Sequence, residues 1–409
     1  MATEPPTKRP SGAVVRALAR SPMADHHLVI FSTVILTAIG AMMVLSSSAV
    51  IALSQGESPY YYLIRQLIFL VGGLILVIPL SRMRPETLLR LANVGWVIAL
   101  LGLILVQTPL GFTVNGNRNW IRVGTLFTIQ PSEFAKLALI IWAAALFHNK
   151  RGKLHEPFQL LVPFVPGGFV LLALILAGRD LGTGLIFGAL IFILLFFVGT
   201  PLRVLVPSLL TGVAVVVMLV VSSPNRMARF VAFFNPQANT DLSSQPVSAL
   251  YALASGGWWG LGLGASKQKW GGLKDGAHTD FVFAVLGEEL GLFGVLLVIG
   301  LLALLGRSGF QIALKSDKLF NRIVAAGITS WFLVQGVVNI MVVMNLLPVL
   351  GVPLPFISSG GSALMANLLA VAVLLICARD TPQARAYLEN RNRGPGPRMT
   401  SVLAAGGNS

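Results

Sequence analysis

The chain has 409 residues, 55% hydrophobic and only 11% charged; a soluble domain carries about 25% charged residues, so the composition excludes a soluble enzyme with one anchor and describes a polytopic membrane protein. The net charge of +15 sits on lysines and arginines spread between apolar spans, the pattern of membrane-protein loops and not of one nucleic-acid-binding patch. The single cysteine, Cys377, lies in an apolar run and excludes an internal disulfide framework or a multi-cysteine metal site.

Residues 1–27 carry charges and prolines without the apolar core of a signal peptide, and read as a cytoplasmic N-terminal tail. A spanning helix needs about 20 mostly apolar residues. On that rule the sequence predicts ten, at 28–53, 63–81, 90–107, 131–148, 158–177, 182–199, 202–222, 280–306, 321–345 and 361–378. The fifth and sixth are joined by the tight Gly178-Arg179-Asp180-Leu181-Gly182 turn, with one long broken helix as the alternative. The expected fold class is all-α, a ten-helix membrane domain over 28–380. With the N-terminus inside, about twenty of the thirty basic residues fall on the cytoplasmic side. They include Lys8, Arg9, Arg16, Arg20, Arg82, Arg84, Arg90, Lys150, Arg151, Lys153, Arg203, Arg307, Lys315, Lys318 and Arg322. Both termini are then cytoplasmic, and the Pro/Gly/Arg-rich tail over 381–409, with Arg385, Arg391, Arg393 and Arg398, reads as disordered.

This topology leaves three long segments outside: 107–130, the large loop 222–279, and 344–360. The last is apolar but broken by Pro348, Pro353 and Pro355, which cannot continue a helix. Broken backbone at membrane depth is tolerated only against protein or a watery cavity.

In the first segment, Arg118, Trp120 and Arg122 stand close together. Trp at an interface is commonly an anchor, but outer arginines run against the positive-inside trend. A guanidinium fork matches phosphate oxygens, so Arg118 and Arg122 are candidate anion ligands. At the start of the fourth span, Pro131 suits a first-turn position and Ser132 a cap, and both cannot hold at once. Glu133 and Lys136 share a helix face at i,i+3. A local ion pair fits them, and so does a substrate-side role with the lysine reaching the interface. Arg179 and Asp180 are either a structural pair or part of the same site. Arg226, Arg229, Lys267, Lys269 and Lys274 add positive charge in the large loop.

That loop ends in His278-Thr279-Asp280. Thr279 or Asp280 suits an N-cap, and a carboxylate near a helix start is favoured by the helix dipole. The other reading is chemical, because ionisable groups at membrane depth are functional-site candidates by default. Glu288 and Glu289 follow on the same helix, where pairing with a basic side chain of a neighbouring helix is expected. No nucleophile-elbow, Walker or paired-histidine zinc motif is present. Of His26, His27, His148, His155 and His278, only the last falls outside. Acids, arginines and aromatics on the outer face suit a substrate with a lipid tail, an anionic head and sugar hydroxyls. A lipid flippase or transporter is the rival from another class, but it needs polar groups along a mid-membrane path. A structural recruiter is a third reading, and it leaves the outward carboxylates unexplained.

Asn115-Gly116-Asn117-Arg118-Asn119-Trp120-Ile121, Gln130-Pro131-Ser132-Glu133-Phe134-Ala135-Lys136, Asp180-Leu181-Gly182-Thr183, His278-Thr279-Asp280-Phe281, Gly287-Glu288-Glu289-Leu290-Gly291 and Pro353-Leu354-Pro355-Phe356-Ile357-Ser358-Ser359-Gly360-Gly361-Ser362 resemble, in order and spacing, the signatures of the SEDS family (shape, elongation, division, sporulation). The division branch is the nearer, with the elongation branch as alternative. The resemblance implies a ten-span peptidoglycan glycosyltransferase. It would polymerise lipid II on the outer face of the cytoplasmic membrane, with a class B penicillin-binding transpeptidase and the divisome proteins FtsQ, FtsL and FtsB as partners. By motif match the catalytic aspartate falls on Asp280. The same match puts the family's motif Glu and Lys on Glu133 and Lys136 and its loop tryptophan on Trp120; Arg118, Arg122, Arg179, Asp180, His278 and Ser358 are further substrate-binding candidates, and Glu288, Glu289, Gly360 and Gly361 supporting ones. No cofactor is required; a magnesium or manganese ion is an optional aid to the pyrophosphate. The chain departs from the family pattern at Lys274-Asp275-Gly276, which lacks a proline and is one residue longer. It also departs at Ser359, where a tyrosine is usual, and at Leu350, where some division members carry lysine.

Overall fold

Each predicted apolar run becomes a helix. The computed structural model describes residues 21–392 apart from 115, 125–126, 154–155, 236–239 and 274–275. Lys8, Arg9, Arg16, Arg20, Asn115, His155, Lys274, Asp275, Arg393 and Arg398 lie outside the described residues. The ten helices are α1 (Ala24–Ser54), α2 (Tyr61–Ser81), α3 (Pro85–Gln107), α4 (Pro131–Asn149), α5 (Pro157–Ala177), α6 (Leu181–Phe197), α7 (Leu202–Val221), α10 (Val282–Lys315), α11 (Leu319–Val343) and α12 (Gly361–Arg379). Among the described residues, seven of them, α1, α2, α3, α7, α10, α11 and α12, are long and apolar enough to cross a membrane. The apolar stretches of α11 and α12 are 72% and 78% buried and form the centre of the bundle, whereas that of α7 is 6% buried and stands at its edge.

Local signals decide the helix starts. Pro131 takes the first position of α4 after Gln130, and Ser132 lies buried in the first turn. Between α5 and α6 the chain reverses through Arg179 at φ 64°, so these are two helices and not one broken one. Asp180 caps α6, its Oδ1 accepting from Thr183 N at 3.0 Å.

The structure adds elements that the apolar pattern did not reveal. Residues 107–130 hold a three-stranded antiparallel meander, β1 (Gly111–Val114), β2 (Asn117–Val123) and β3 (Phe127–Ile129), in the order β1-β2-β3. The large loop is not irregular throughout; it holds α8 (Pro224–Phe234) and α9 (Thr240–Ser255). The eighth span is not one straight helix either. Gly291, at φ 66° and ψ −165°, breaks α10. The backbone groups freed by the break are taken by the loop: Leu261 N and Gly262 N donate to the carbonyls of Glu288 and Glu289, and Leu292 N donates to Gly257 O. This is how an interrupted helix is tolerated in an apolar setting. The segment after 381, expected to be disordered, begins with helix α13 (Pro382–Asn392), which Arg385 ties to Asp317.

The bundle has two dissimilar ends. At one, ion pairs join loops: Lys318 to Glu86 at 2.7 Å and to Asp380 at 2.9 Å. At the other lie the meander, the Arg179 turn, α8, α9, the turn ending in Asp280 and the proline-broken 344–360 segment.

Candidate active site

Asp280 closes a turn in which Phe281 N donates to Gly276 O at 3.0 Å. The turn delivers the chain into α10, whose N-cap position is Phe281, with no side-chain cap. Neither Thr279 nor Asp280 therefore caps the helix. The Asp280 carboxylate is half-buried and makes no hydrogen bond or ion pair among the described residues. Burial pushes its carboxyl from 3.8 up to about 6; the nearby Arg229 charge pulls it down and Asp180 pushes it up.

The proline-broken segment is the wall opposite. It is held by side chains of the central helices. Ser358 Oγ donates to Thr279 O at 2.6 Å and accepts from Leu354 N at 2.8 Å. Asn339 Nδ2 donates to Asp280 O and to Val352 O, both at 2.8 Å. Gln335 Nε2 donates to Pro353 O at 2.9 Å. From α2, Gln66 Oε1 accepts from Gly360 N at 3.2 Å. The first residue of α12, Gly361, lies so close to α2 that a β-carbon there would meet the Phe69 ring. Polar side chains thus replace the helix that prolines forbid.

Beside this wall lies a cavity of about 560 Å³, lined among others by Asn117, Arg179, Arg226, Arg229, Pro348 and Leu350. Its size falls within the range of small-molecule sites, roughly 300–1,000 Å³. Arg226 donates to Leu219 O at 3.0 Å and to Arg179 O at 3.4 Å, which braces the Arg179 turn. Arg179 and Arg229 make no salt bridge among the described residues. Asp280 does not itself line the cavity, but Leu350 does, and the adjacent Gly351 faces Asp280 Oδ2, so the carboxylate lies next to the arginine-lined space.

The residues singled out in the sequence separate into groups. Asp280 and Arg179 stand at the site. His278 is buried beside Tyr62, with ring centroids 5.0 Å apart, and its carbonyl accepts from Ser359 N at 2.8 Å. Asp180 is buried and committed, accepting from Asn119 Nδ2 at 2.6 Å and Gln130 Nε2 at 3.3 Å besides its cap bond; it does not pair with Arg179. Arg118 does not line the cavity; its guanidinium donates to Thr108 O at 2.6 Å and closes the meander onto α3. Arg122 is exposed over the Phe112 ring at 5.0 Å, and Trp120 pairs with Phe112 across the strands. Glu133 and Lys136 form the expected ion pair at 2.8 Å, but the lysine does not reach the interface. Both are buried, with Lys136 bonded to Gln335 Oε1 at 2.8 Å and lying 4.7 Å from the Trp331 ring centroid.

Glu289 finds its basic partner in the loop and not on a neighbouring helix, and Glu288 is held by loop hydrogen bonds. Glu288 accepts from Ser266 Oγ at 2.5 Å and Lys267 N at 2.9 Å. Glu289 accepts from Ser46 Oγ of α1 at 2.6 Å and pairs with Lys269 at 2.9 Å. The sequence reading passed over Asn339 and Gln335, one helical turn apart on α11. Amides buried in an apolar span were the available signal.

A family model described as a cell cycle protein, FTSW_RODA_SPOVE, matches residues 26–383. The chain is 39% identical over 389 residues to the probable peptidoglycan glycosyltransferase FtsW of Mycobacterium tuberculosis, covering 95% of this chain and 74% of that protein. It is similar in structure, at TM-score 0.71 and 28% identity, to a chain solved in work on the coordination of polymerization and crosslinking by a peptidoglycan synthase complex, covering 86% of this chain and 97% of that one. The Thermus thermophilus rod shape determining protein RodA matches at TM-score 0.62 and 28% identity, covering 87% and 96%. With its motifs in order along the matched region, this multi-pass membrane protein belongs to the FtsW/RodA/SpoVE family of cell cycle proteins, the SEDS family.

Proposed function

We propose that this chain is a peptidoglycan glycosyltransferase that polymerises lipid II on the outer face of the cytoplasmic membrane during septal wall synthesis. The observation that carries the reading is Asp280: a half-buried carboxylate without a hydrogen-bond or ion-pair partner among the described residues, beside a cavity lined by arginines. The cavity end of the bundle is then the outer end, as the distribution of basic residues requires. The relatives named FtsW, at 39% identity for the Mycobacterium tuberculosis protein, support division over elongation. The partner would be a class B penicillin-binding transpeptidase, with FtsQ, FtsL and FtsB in the divisome.

The acceptor sugar hydroxyl is a poor nucleophile. Asp280 takes its proton as the oxygen attacks the anomeric carbon of a second lipid II, a contribution of roughly 10²–10⁴-fold for a positioned base. The new glycosidic bond forms as the anomeric carbon–phosphate oxygen bond breaks, and undecaprenyl pyrophosphate leaves with the electron pair. Direct displacement needs no covalent enzyme intermediate, as in inverting sugar hydrolysis. Arg179 and Arg229 take up the charge on the leaving pyrophosphate, and Arg226 braces the Arg179 turn. Arg118, Arg122 and Lys136, expected there from sequence, are committed elsewhere. Among the described residues no three His, Cys, Asp or Glu side chains converge, and the cavity's charged groups are cationic, so the residues do not fit a resident magnesium or manganese ion.

Asp280→Asn, folded and reconstituted with its transpeptidase, tests the reading. Loss of glycan polymer from lipid II is expected; wild-type polymerisation would remove Asp280 as the base.

A further inference from the structure

We propose that Asn339 is a positioning residue for Asp280, an inference that rests on the base reading above. A single amide nitrogen of Asn339 donates to two carbonyls, Asp280 O and Val352 O, each at 2.8 Å. One belongs to the residue that carries the base. The other belongs to the wall facing it, next to Gly351, whose β-carbon position is 3.7 Å from Asp280 Oδ2. Asn339 therefore sets the separation between carboxylate and wall. Because both neighbours are acceptors, the amide has one allowed orientation, nitrogen toward them.

That orientation has a cost. Asn339 is 1% exposed, and its Oδ1 is left buried without a hydrogen-bond partner among the described residues. A leucine of similar size would avoid the unmet acceptor, but it could not hold two backbone segments in register. Gln335, one turn earlier, holds the wall alone through Pro353 O, and its own oxygen accepts from Lys136 and Trp331. Asn339 is the rung that reaches the reacting residue. Among the described residues the carboxylate has no partner of its own to orient it, so the backbone clamp does that work. Displacing a reacting group by about 1 Å costs on the order of 10²-fold.

The experiment compares wild type, Asn339→Leu and Asp280→Asn, each reconstituted with the partner transpeptidase, in lipid II polymerisation with kcat and KM resolved and thermal unfolding measured in parallel. Asn339→Leu is expected to fold and to lose about 10- to 100-fold in kcat with KM essentially unchanged, because the arginine cavity is untouched. Wild-type kcat in folded Asn339→Leu overturns the inference. A raised KM with kcat held also overturns it, since that is a binding role. If the leucine variant does not accumulate, Asn339→Ser, with one donor for two carbonyls, is judged by the same kcat criterion. Activity surviving in Asp280→Asn removes the base reading and this inference with it. Activity lost there while Asn339→Leu turns over normally removes the clamp alone.

Discussion

Gly351 faces the carboxylate of Asp280: a β-carbon built on Gly351 would lie 3.7 Å from Asp280 Oδ2, and Gly351 sits at φ 71°. That backbone region costs a residue with a side chain roughly 1–2 kcal/mol. The substitution Gly351→Ala therefore strains the loop and places a methyl group against the base. Gly351→Val adds bulk where the acceptor hydroxyl must enter. Polymerisation is expected to fall about tenfold for alanine and further for valine, by analogy with other displaced catalytic groups. Thermal unfolding should record only the smaller backbone cost. Unchanged turnover in the valine variant would show that acceptor entry lies elsewhere.

The raised carboxyl of Asp280 makes a signed prediction about pH. As a base it must be ionised, so activity should fall as pH drops through about 6. Stability runs the other way. A carboxyl raised from 3.8 to about 6 in the fold contributes stability that is complete below the lower value and lost as pH rises through the upper one. At pH 7.5 the wild type carries the burden of an ionised, partly desolvated group. Asp280→Asn should then be more stable by about 1–2 kcal/mol, the full conversion of the raised carboxyl being discounted for partial solvent screening. Denaturant unfolding of both proteins at pH 7.5 and pH 5 measures it, and the difference should shrink at the lower pH.

Arg229 and Arg118 should behave differently although both are arginines at the same end of the bundle. Arg229 lines the cavity and draws the Asp280 carboxyl downward. Arg229→Gln is therefore expected to raise KM for lipid II and to move the acid limb of the rate profile to higher pH. The guanidinium of Arg118 is spent on Thr108 O. Arg118→Gln should leave the acid limb in place and cost the meander about 0.5–1.5 kcal/mol, the net worth of one hydrogen bond. A shifted limb in the Arg118 variant would mean that the cavity extends under the meander.

Much of this architecture is legible in the chain because lipid imposes a length on apolar runs: a helix forms over each of the ten predicted runs, and among the described residues seven of these are long and apolar enough to cross a membrane. Pro348, Pro353 and Pro355 likewise announce that 344–360 cannot be helical. In the sequence Asp280 is open between cap and catalyst; the structure removes the cap, since that position belongs to Phe281, and leaves the base role as proposed. Other features leave weaker traces. Helix α8 is short and opens on a proline and arginines, so no apolar count marks it. The break at Gly291 is a single backbone angle inside an apolar run. Sequence also counts outer arginines without saying which way they turn; Arg118 turns to a carbonyl and Arg229 to the cavity. Partners separated by long stretches, such as Asn339 and Asp280, follow from the fold alone.

The buried pair Lys269–Glu289 tests how the large loop is held. Its 2.9 Å contact is sealed from solvent, and Lys269 also donates to Ser46 Oγ at 3.1 Å and Gly264 O at 2.8 Å. One lysine thus ties the loop to α1 and to the segment of α10 just before its break. Removing one partner strands the other charge in an apolar setting, a loss of about 3–5 kcal/mol. Lys269→Met should therefore unfold the loop more readily than the double substitution Lys269→Met with Glu289→Leu, in which no charge is stranded. If the pair serves only to anchor, the double variant should regain both protection from proteolysis in the 256–270 region and polymerisation. Regained protection without regained polymerisation would show that the ionic contact also shapes the turn leading to Asp280.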